Sequence, residues 1–241
     1  MDAVEVLNTI AQQVAVCEKC PLHFSRKRAV PGEGQANAGI MFIGEGPGFY
    51  ENEQGRPFVG PSGKFLDELL QSAGLKRSEV FIGNVVKCRP PANRDPEPEE
   101  LLACRPYLDR QIEAINPKVV VTLGRYSMAY FMPNGKISAI HGRASWVNNR
   151  MIVPMYHPAA ALHQPALRSA IVADFANLPK LLARTPTGQA AVEKTPPAKP
   201  DLPVQPMLEM NQPEKAPEES RSPAAEPADE DQDKPVQLSL F

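Results

Sequence analysis

The run Ile40-Met41-Phe42-Ile43 passes straight into Gly44-Glu45-Gly46-Pro47-Gly48, and this junction constrains the fold more than any other stretch of the chain. Four apolar residues with β-branched ends describe a short buried strand. Three glycines and a proline within the next five residues let the backbone turn sharply and approach a ligand closely, with Pro47 stiffening the turn. Behind a strand, such a loop lies at the carboxyl end of a sheet, where open α/β folds bind ligands. A dinucleotide fingerprint does not fit, because Gly44-x-Gly46 would require glycine where Phe49 stands. Taken alone, the loop is equally an ordinary strand-to-helix connection. Its neighbours carry the chemistry: Glu45 and Glu51 are acids, and Phe58 lies in a second Gly/Pro-rich turn, Gly55 to Gly60. A carboxylate, pliant backbone and an aromatic face together suit a flat, polar ligand such as a nucleobase.

The same strand-then-loop pattern recurs. Residues 80–86, 119–123 and 151–156 read as three further strands, and helical periodicity covers 2–16, 61–73, 98–115 and about 165–184. A short helix to about Phe131 follows the third strand, and 21–38 reads as loop. Alternation of this kind predicts an α/β domain of three layers, α/β/α, around a central four-stranded parallel sheet. Three of the four strands end in an unusual polar residue: Glu45, Asn84 and His157. In a parallel sheet those ends share one edge, so residues far apart in the chain are expected to converge there.

Charge separates the chain into parts. Residues 1–184 hold 21 Lys and Arg against 17 Asp and Glu, while 185–241 hold 5 against 11. The first part is thus mildly basic, a balance that permits nucleic-acid binding. The second part takes 11 of the 27 prolines and a single aromatic residue, Phe241, so it is expected to stay disordered for want of apolar surface to bury. The expected boundaries are a domain over 1–184, a Pro/acid-rich linker over 185–236 and a terminal peptide over 237–241. Neither a long apolar run nor a charged leader before an apolar region is evident, which predicts a soluble cytoplasmic protein.

The cysteines are Cys17, Cys20, Cys88 and Cys104, all within the first part. In a cytosolic chain this pattern points to a metal centre rather than two disulfides. Four thiolates suit tetrahedral zinc or an iron–sulfur cluster, and the wide Cys88-x15-Cys104 pair favours the larger cluster. With the ligand set complete, the role expected is structural, tying the N-terminal helix to the 88–104 loop and gathering Arg26, Lys27, Arg28, Lys87, Arg89 and Arg105 nearby.

Several ordered motifs together resemble the family 4 (iron–sulfur, thermostable-type) uracil-DNA glycosylases over roughly 1–180. They are Cys17-x2-Cys20-Pro-Leu22, Gly44-Glu-Gly-Pro-Gly48 with Glu51, Gly55-Arg-Pro-Phe-Val-Gly-Pro-Ser-Gly63, Asn84-Val-Val-Lys-Cys-Arg-Pro-Pro91, Cys104-Arg-Pro106 and His157-Pro158. The resemblance implies a monomeric, monofunctional hydrolase that releases uracil from DNA, leaves an abasic site and so starts base-excision repair, with a [4Fe–4S] cluster on the four cysteines. By that resemblance Phe58 stacks on uracil, the Asn84 amide reads O4 and N3–H, and Gly44, Glu45 and Gly46 line the pocket. Glu51 stands where a thymine methyl would clash, and His157 bonds O2 as the base leaves. Glu45 either positions the attacking water or braces its loop. Asn52 stands where an acid often follows Glu51 in the family. Leu162, in the 159–168 segment, is either a minor-groove wedge or a packing residue. The histidine by which some relatives link covalently to DNA lies in an arginine-rich insertion that would fall after Asn84, where this chain has no histidine; His141, in a His-Gly-Arg loop, is expected at phosphate. A non-catalytic module that binds uracil or DNA is the competing reading.

The last five residues, Gln237-Leu238-Ser239-Leu240-Phe241, resemble a bacterial sliding-clamp-binding peptide on a long tether. A short extended peptide of this kind inserts its leucine and aromatic side chains into pockets, and a tether of about 50 residues spans roughly 40 Å by square-root scaling.

Overall fold

A computed structural model of the chain describes residues 2–184; the expected linker and terminal peptide lie outside the described residues. The strands are β1 (Glu33–Gly34), β2 (Ile40–Gly44), β3 (Phe81–Asn84), β4 (Val119–Leu123), β5 (Ser145–Val147) and β6 (Arg150–Met155). They form one sheet in the order β1-β3-β2-β4-β6-β5. The four inner strands are parallel, as the apolar runs predict, and they occupy the centre. Two short antiparallel ribbons extend the edges, β1 against β3 and β5 against β6, so the sheet is mixed and has six strands rather than four.

The helices are α1 (Ala3–Ala15), α2 (Leu22–Ser25), α3 (Phe49–Gln54), α4 (Pro61–Ser72), α5 (Pro98–Ile115), α6 (Arg125–Phe131), α7 (Ile137–Ile140), α8 (Pro158–His163) and α9 (Arg168–Leu182). Their starts follow local chemistry. Asp2 and Glu5 close a capping box on α1, Glu97 and Glu100 do the same for α5, and Pro61 occupies the first turn of α4. The short α2 interrupts the stretch expected to be loop.

Strand side chains alternate between two cores, the period of two that a pleated sheet requires. Phe42, Val121 and Val153 face α4 and α9, meeting Leu66, Leu70, Phe175 and Leu178. Met41, Ile43, Val120 and Ile152 face the other way, toward Leu108 and Ile112 of α5. The ring of Phe42 stacks on that of Phe175 at 6.2 Å, both fully buried. Truncating either to alanine would cost about 3–5 kcal/mol. A third cluster fastens α1 to α5 through Ile10, Val14, Leu22, Val86 and Tyr107, with Cys88 and Cys104 among them. Among the described residues no helix is long and apolar enough to cross a membrane.

Candidate active site

The carboxyl ends of the parallel strands bring the polar residues together. Gly44 and Asn84 are ladder partners at the tips of β2 and β3. A Cβ on residue 44 would lie 2.5 Å from Asn84 Oδ1 and 2.7 Å from Cζ of Phe58, so glycine there leaves room for both side chains. Phe58 in turn stacks on His157, with ring centroids 5.4 Å apart and planes 25° from parallel. Asn84 is 1% exposed, and among the described residues its Oδ1 has no hydrogen-bond partner. Leaving such an atom dry costs about 1–3 kcal/mol, which a ligand carrying an N–H donor would return.

Phe58 is held in a conformation its residue type disfavours. Its φ is 50°, in the left-handed region where a non-glycine residue is strained. Arg77 grips the turn by donating to the Phe58 carbonyl at 3.2 Å and to the Pro57 carbonyl at 2.6 Å. Arg77 is itself anchored on Glu33 at 2.7 Å and Asp67 at 3.0 Å. Gly63 lies against the Phe58 main chain, leaving no space for a Cβ.

Glu51 is buried, and both of its carboxylate oxygens are occupied. Oε1 accepts from the Val59 and Gly60 N–H groups at 2.8 and 2.9 Å, and Oε2 from Gly48 N–H at 3.1 Å. It therefore staples the two Gly-rich turns to each other. The placement gives this side chain a bracing task, whereas the sequence suggested a steric screen against a methyl group.

His157 caps α8: its Nδ1 accepts the Ala159 N–H at 3.1 Å. A neutral ring that accepts at Nδ1 carries its proton on Nε2, which is left as a donor. Burial holds the imidazole down to about 4, against an opposing pull from the Glu51 carboxylate, so the ring is neutral near pH 7. Gly124, with φ of 96° after β4, passes close to the His157 side chain.

Glu45 sits at the end of β2 and is partly buried. Burial pushes its carboxyl up to about 7; Asp95 adds to the rise and Arg125 opposes it. Asp95, on the loop after β3, is ion-paired to Arg125, the first residue of α6 after β4. Because β2 lies between β3 and β4, the pair brackets the strand end that carries Glu45.

All four cysteines line one cavity together with Val14, Leu22 and Tyr107. They are free thiols, and Cys88 and Cys104 are buried. Burial pushes Cys104 up to about 11 and raises Cys20 and Cys88. N–H donors point at two of the sulfurs: the Lys87 main chain at Cys104 Sγ (3.2 Å) and Arg26 Nη1 at Cys88 Sγ (3.6 Å). Four thiols around one cavity, two of them buried with donors directed at sulfur, fit a thiolate-ligated centre, in which a bound cation would restore the thiolate form. Among the described residues, no three His, Cys, Asp or Glu side chains converge to hold a single ion.

Lys87 lines the cysteine cavity, as expected, and its side chain is buried. Other expectations fall elsewhere. Arg89 lies over the exposed Phe49 ring at 5.4 Å. Leu162 is 47% exposed on α8 and so is not a packing residue. His141 is paired with Asp174 at 2.7 Å and leans on Tyr156, which gives it a protein partner where phosphate was expected. Asn52 is buried, and its Oδ1 accepts the Lys27 N–H at 2.9 Å.

A family model for the uracil DNA glycosylase superfamily matches residues 31–177. Curated type-4 uracil-DNA glycosylases are close in sequence. That of Saccharolobus solfataricus is 47% identical over 190 residues, covering 75% of this chain and 88% of the relative. That of Sulfurisphaera tokodaii is 48% identical over 193 residues, covering 76% and 87%. That of Archaeoglobus fulgidus is 44% identical over 191 residues, covering 75% and 96%. The chain belongs to the type-4 uracil-DNA glycosylases.

In this glycosylase the motif residues Gly44, Phe58, Asn84 and His157 gather at the carboxyl ends of the strands, with Glu45 following Gly44 and Glu51 bonded to the turn after Phe58. Sequence reasoning missed Arg77, which holds Phe58 in place, and the inward turn of Lys87. A basic residue nineteen positions beyond Phe58, outside every motif, carries no local sign that it reaches back to that carbonyl.

Proposed function

We propose that the protein is a monofunctional uracil-DNA glycosylase acting on a flipped-out uracil, with the slot between β2, β3 and β6 as its pocket. The observation that carries this reading is the dry Oδ1 of Asn84, held beside Phe58 and His157. Uracil offers that oxygen its N3–H and offers the amide's N–H its O4. Cytosine presents an acceptor at N3 and donors at N4, so both contacts are reversed. Phe58 supplies the stacking face. As the N1–C1′ bond breaks, its electron pair leaves with the base, and the neutral His157 ring donates Nε2–H to O2, where negative charge grows. Water adds to C1′ and loses a proton, giving free base and an abasic site. Glu45, titrating near 7, is suited to orient that water and take the proton.

Cys17, Cys20, Cys88 and Cys104 would hold a [4Fe–4S] cluster, since all four line one cavity and N–H donors point at two of the sulfurs. When bound, the cluster supplies a cross-link between the segment after α1 and the 88–104 region. Exposed Phe49 and Leu162, with the half-buried Arg89 over the Phe49 ring, suit contact with the strand around the extruded base. The terminal Gln237–Phe241, outside the described residues, is proposed as a clamp-binding peptide on sequence grounds alone. Deleting it should leave release from short oligonucleotides unchanged and abolish clamp pull-down.

The deciding experiment is single-turnover uracil release by the purified full chain on duplex and single-stranded oligonucleotides. Release with a scissile abasic product is expected. Intact DNA binding without release would instead support a non-catalytic module.

A further inference from the structure

The hydrolysis described above makes no use of Lys87, yet few side chains in the domain are more thoroughly enclosed. It is 1% exposed. Its Nζ donates to the main-chain carbonyl of Asn84 at 2.8 Å and to Oε1 of Gln111 at 2.7 Å. Gln111, also 1% exposed, donates onward from Nε2 to the Pro31 carbonyl at 2.7 Å. At its other end Lys87 gives its own N–H to Cys104 Sγ at 3.2 Å and accepts from Val30 N–H at 2.7 Å. Cys88 is the next residue. One residue thus joins the main chain of Asn84, through its side chain, to the wall of the cysteine cavity, through its own N–H.

Filling this space with an apolar residue would avoid burying an ammonium, which costs several kcal/mol. Both acceptors of Nζ are neutral oxygens, so its charge is offset only by surrounding dipoles and by the sulfurs close to its main chain. The carbonyl it grips belongs to the residue whose amide faces the slot. Movement there would swing Oδ1 relative to Gly44 and Phe58, which leave it little room. The residues after Asn84 add no slack, because Val85 and Val86 N–H bond back to the Gly44 and Glu45 carbonyls at 3.0 Å each.

We propose that Lys87, braced by Gln111, is a positioning residue that uses the cysteine centre as its anchor to fix the aim of the Asn84 amide. This rests on the uracil reading of the slot.

A double-mutant cycle on the iron-loaded full chain tests it. Single-turnover release from a uracil duplex is measured for Lys87→Met, Asn84→Ala and the double variant, alongside iron content, duplex affinity and calorimetric affinity for free uracil. Lys87→Met should slow release by about tenfold to a hundredfold, as sub-ångström misplacement does, with duplex affinity nearly unchanged. Affinity for free uracil should fall in parallel. In the Asn84→Ala background the further loss should shrink to below about twofold, because a residue acting through Asn84 has nothing left to position. Equal losses in both backgrounds would overturn the proposal and leave Lys87 a packing residue. If Lys87→Met does not fold or loses iron, Gln111→Leu replaces it in the same cycle with the same two outcomes. If Asn84→Ala alone leaves release unaltered, the slot reading itself falls, a result distinct from additivity.

Discussion

The slot at the strand ends and the cysteine cavity under α1 lie on either side of one short turn, residues 84–88, yet they treat polar atoms in opposite ways. In the slot, Asn84 Oδ1 is dry and unpartnered, and His157 has only one ring nitrogen engaged. Around the cysteines, sulfurs receive N–H donors from Lys87 and Arg26, and apolar side chains close the wall. The first region withholds its hydrogen-bonding capacity for something that arrives later. The second spends its capacity on holding chain segments together. The difference sets the proposed site apart: the unmet oxygen of Asn84 is left for a ligand, whereas the met atoms around the cysteines hold the frame.

Four changes would break or sharpen that contrast. Gly44→Ala should have the largest effect, because the new Cβ meets Asn84 Oδ1 at 2.5 Å. Uracil release should fall below detection while overpacking costs only about 1–3 kcal/mol of stability; an active, folded variant would show that the slot is not the site. His157→Ala should slow release by about 10²–10³-fold, the size of one lost oxyanion donor, with little change in duplex binding.

In the wild type, nitrogen NMR should find His157 neutral with its proton on Nε2, titrating near 4 rather than the ordinary 6.5. The unfolded chain then binds more protons than the folded one between those values, so this ring's contribution lowers stability as pH falls through that window.

Cys104→Ser should act on the other region. Iron content should drop and thermal unfolding should come several degrees earlier, since centre and fold are linked; unchanged iron and melting would remove the proposed cluster. The mildest effect belongs to Glu45. With its carboxyl near 7, the release rate should rise about tenfold between roughly pH 6 and 8 as the carboxylate forms. Glu45→Gln should flatten that limb, and a limb that persists would assign the ionisation to another group.

The inner sheet was legible because strands buried on both faces read as apolar runs, and 40–43, 119–123 and 151–155 do so unmistakably. Convergence of Asn84 and His157 then followed from topology. The edge ribbons were not legible: two residues at Glu33–Gly34 and three at Ser145–Val147 are too few to show a period, and their pairing is set by the neighbouring strand. The left-handed backbone of Phe58 was equally hidden, since Arg77 and Gly63 impose it from outside the turn. Lys87 was placed near the cysteines by the sequence, but its inward turn was hidden, because only folding brings the Asn84 carbonyl and Gln111 to its ammonium. The bracing task of Glu51 was hidden as well, because it depends on amides of residues 48, 59 and 60 that sequence spacing alone does not orient.

The solitary oxygen of Asn84 also bears on the end of the catalytic cycle. A freed pyrimidine that has satisfied it must surrender that contact to depart, and almost no water reaches the spot to take its place. On the proposed reading, selectivity at entry and reluctance at exit are therefore two faces of one atom.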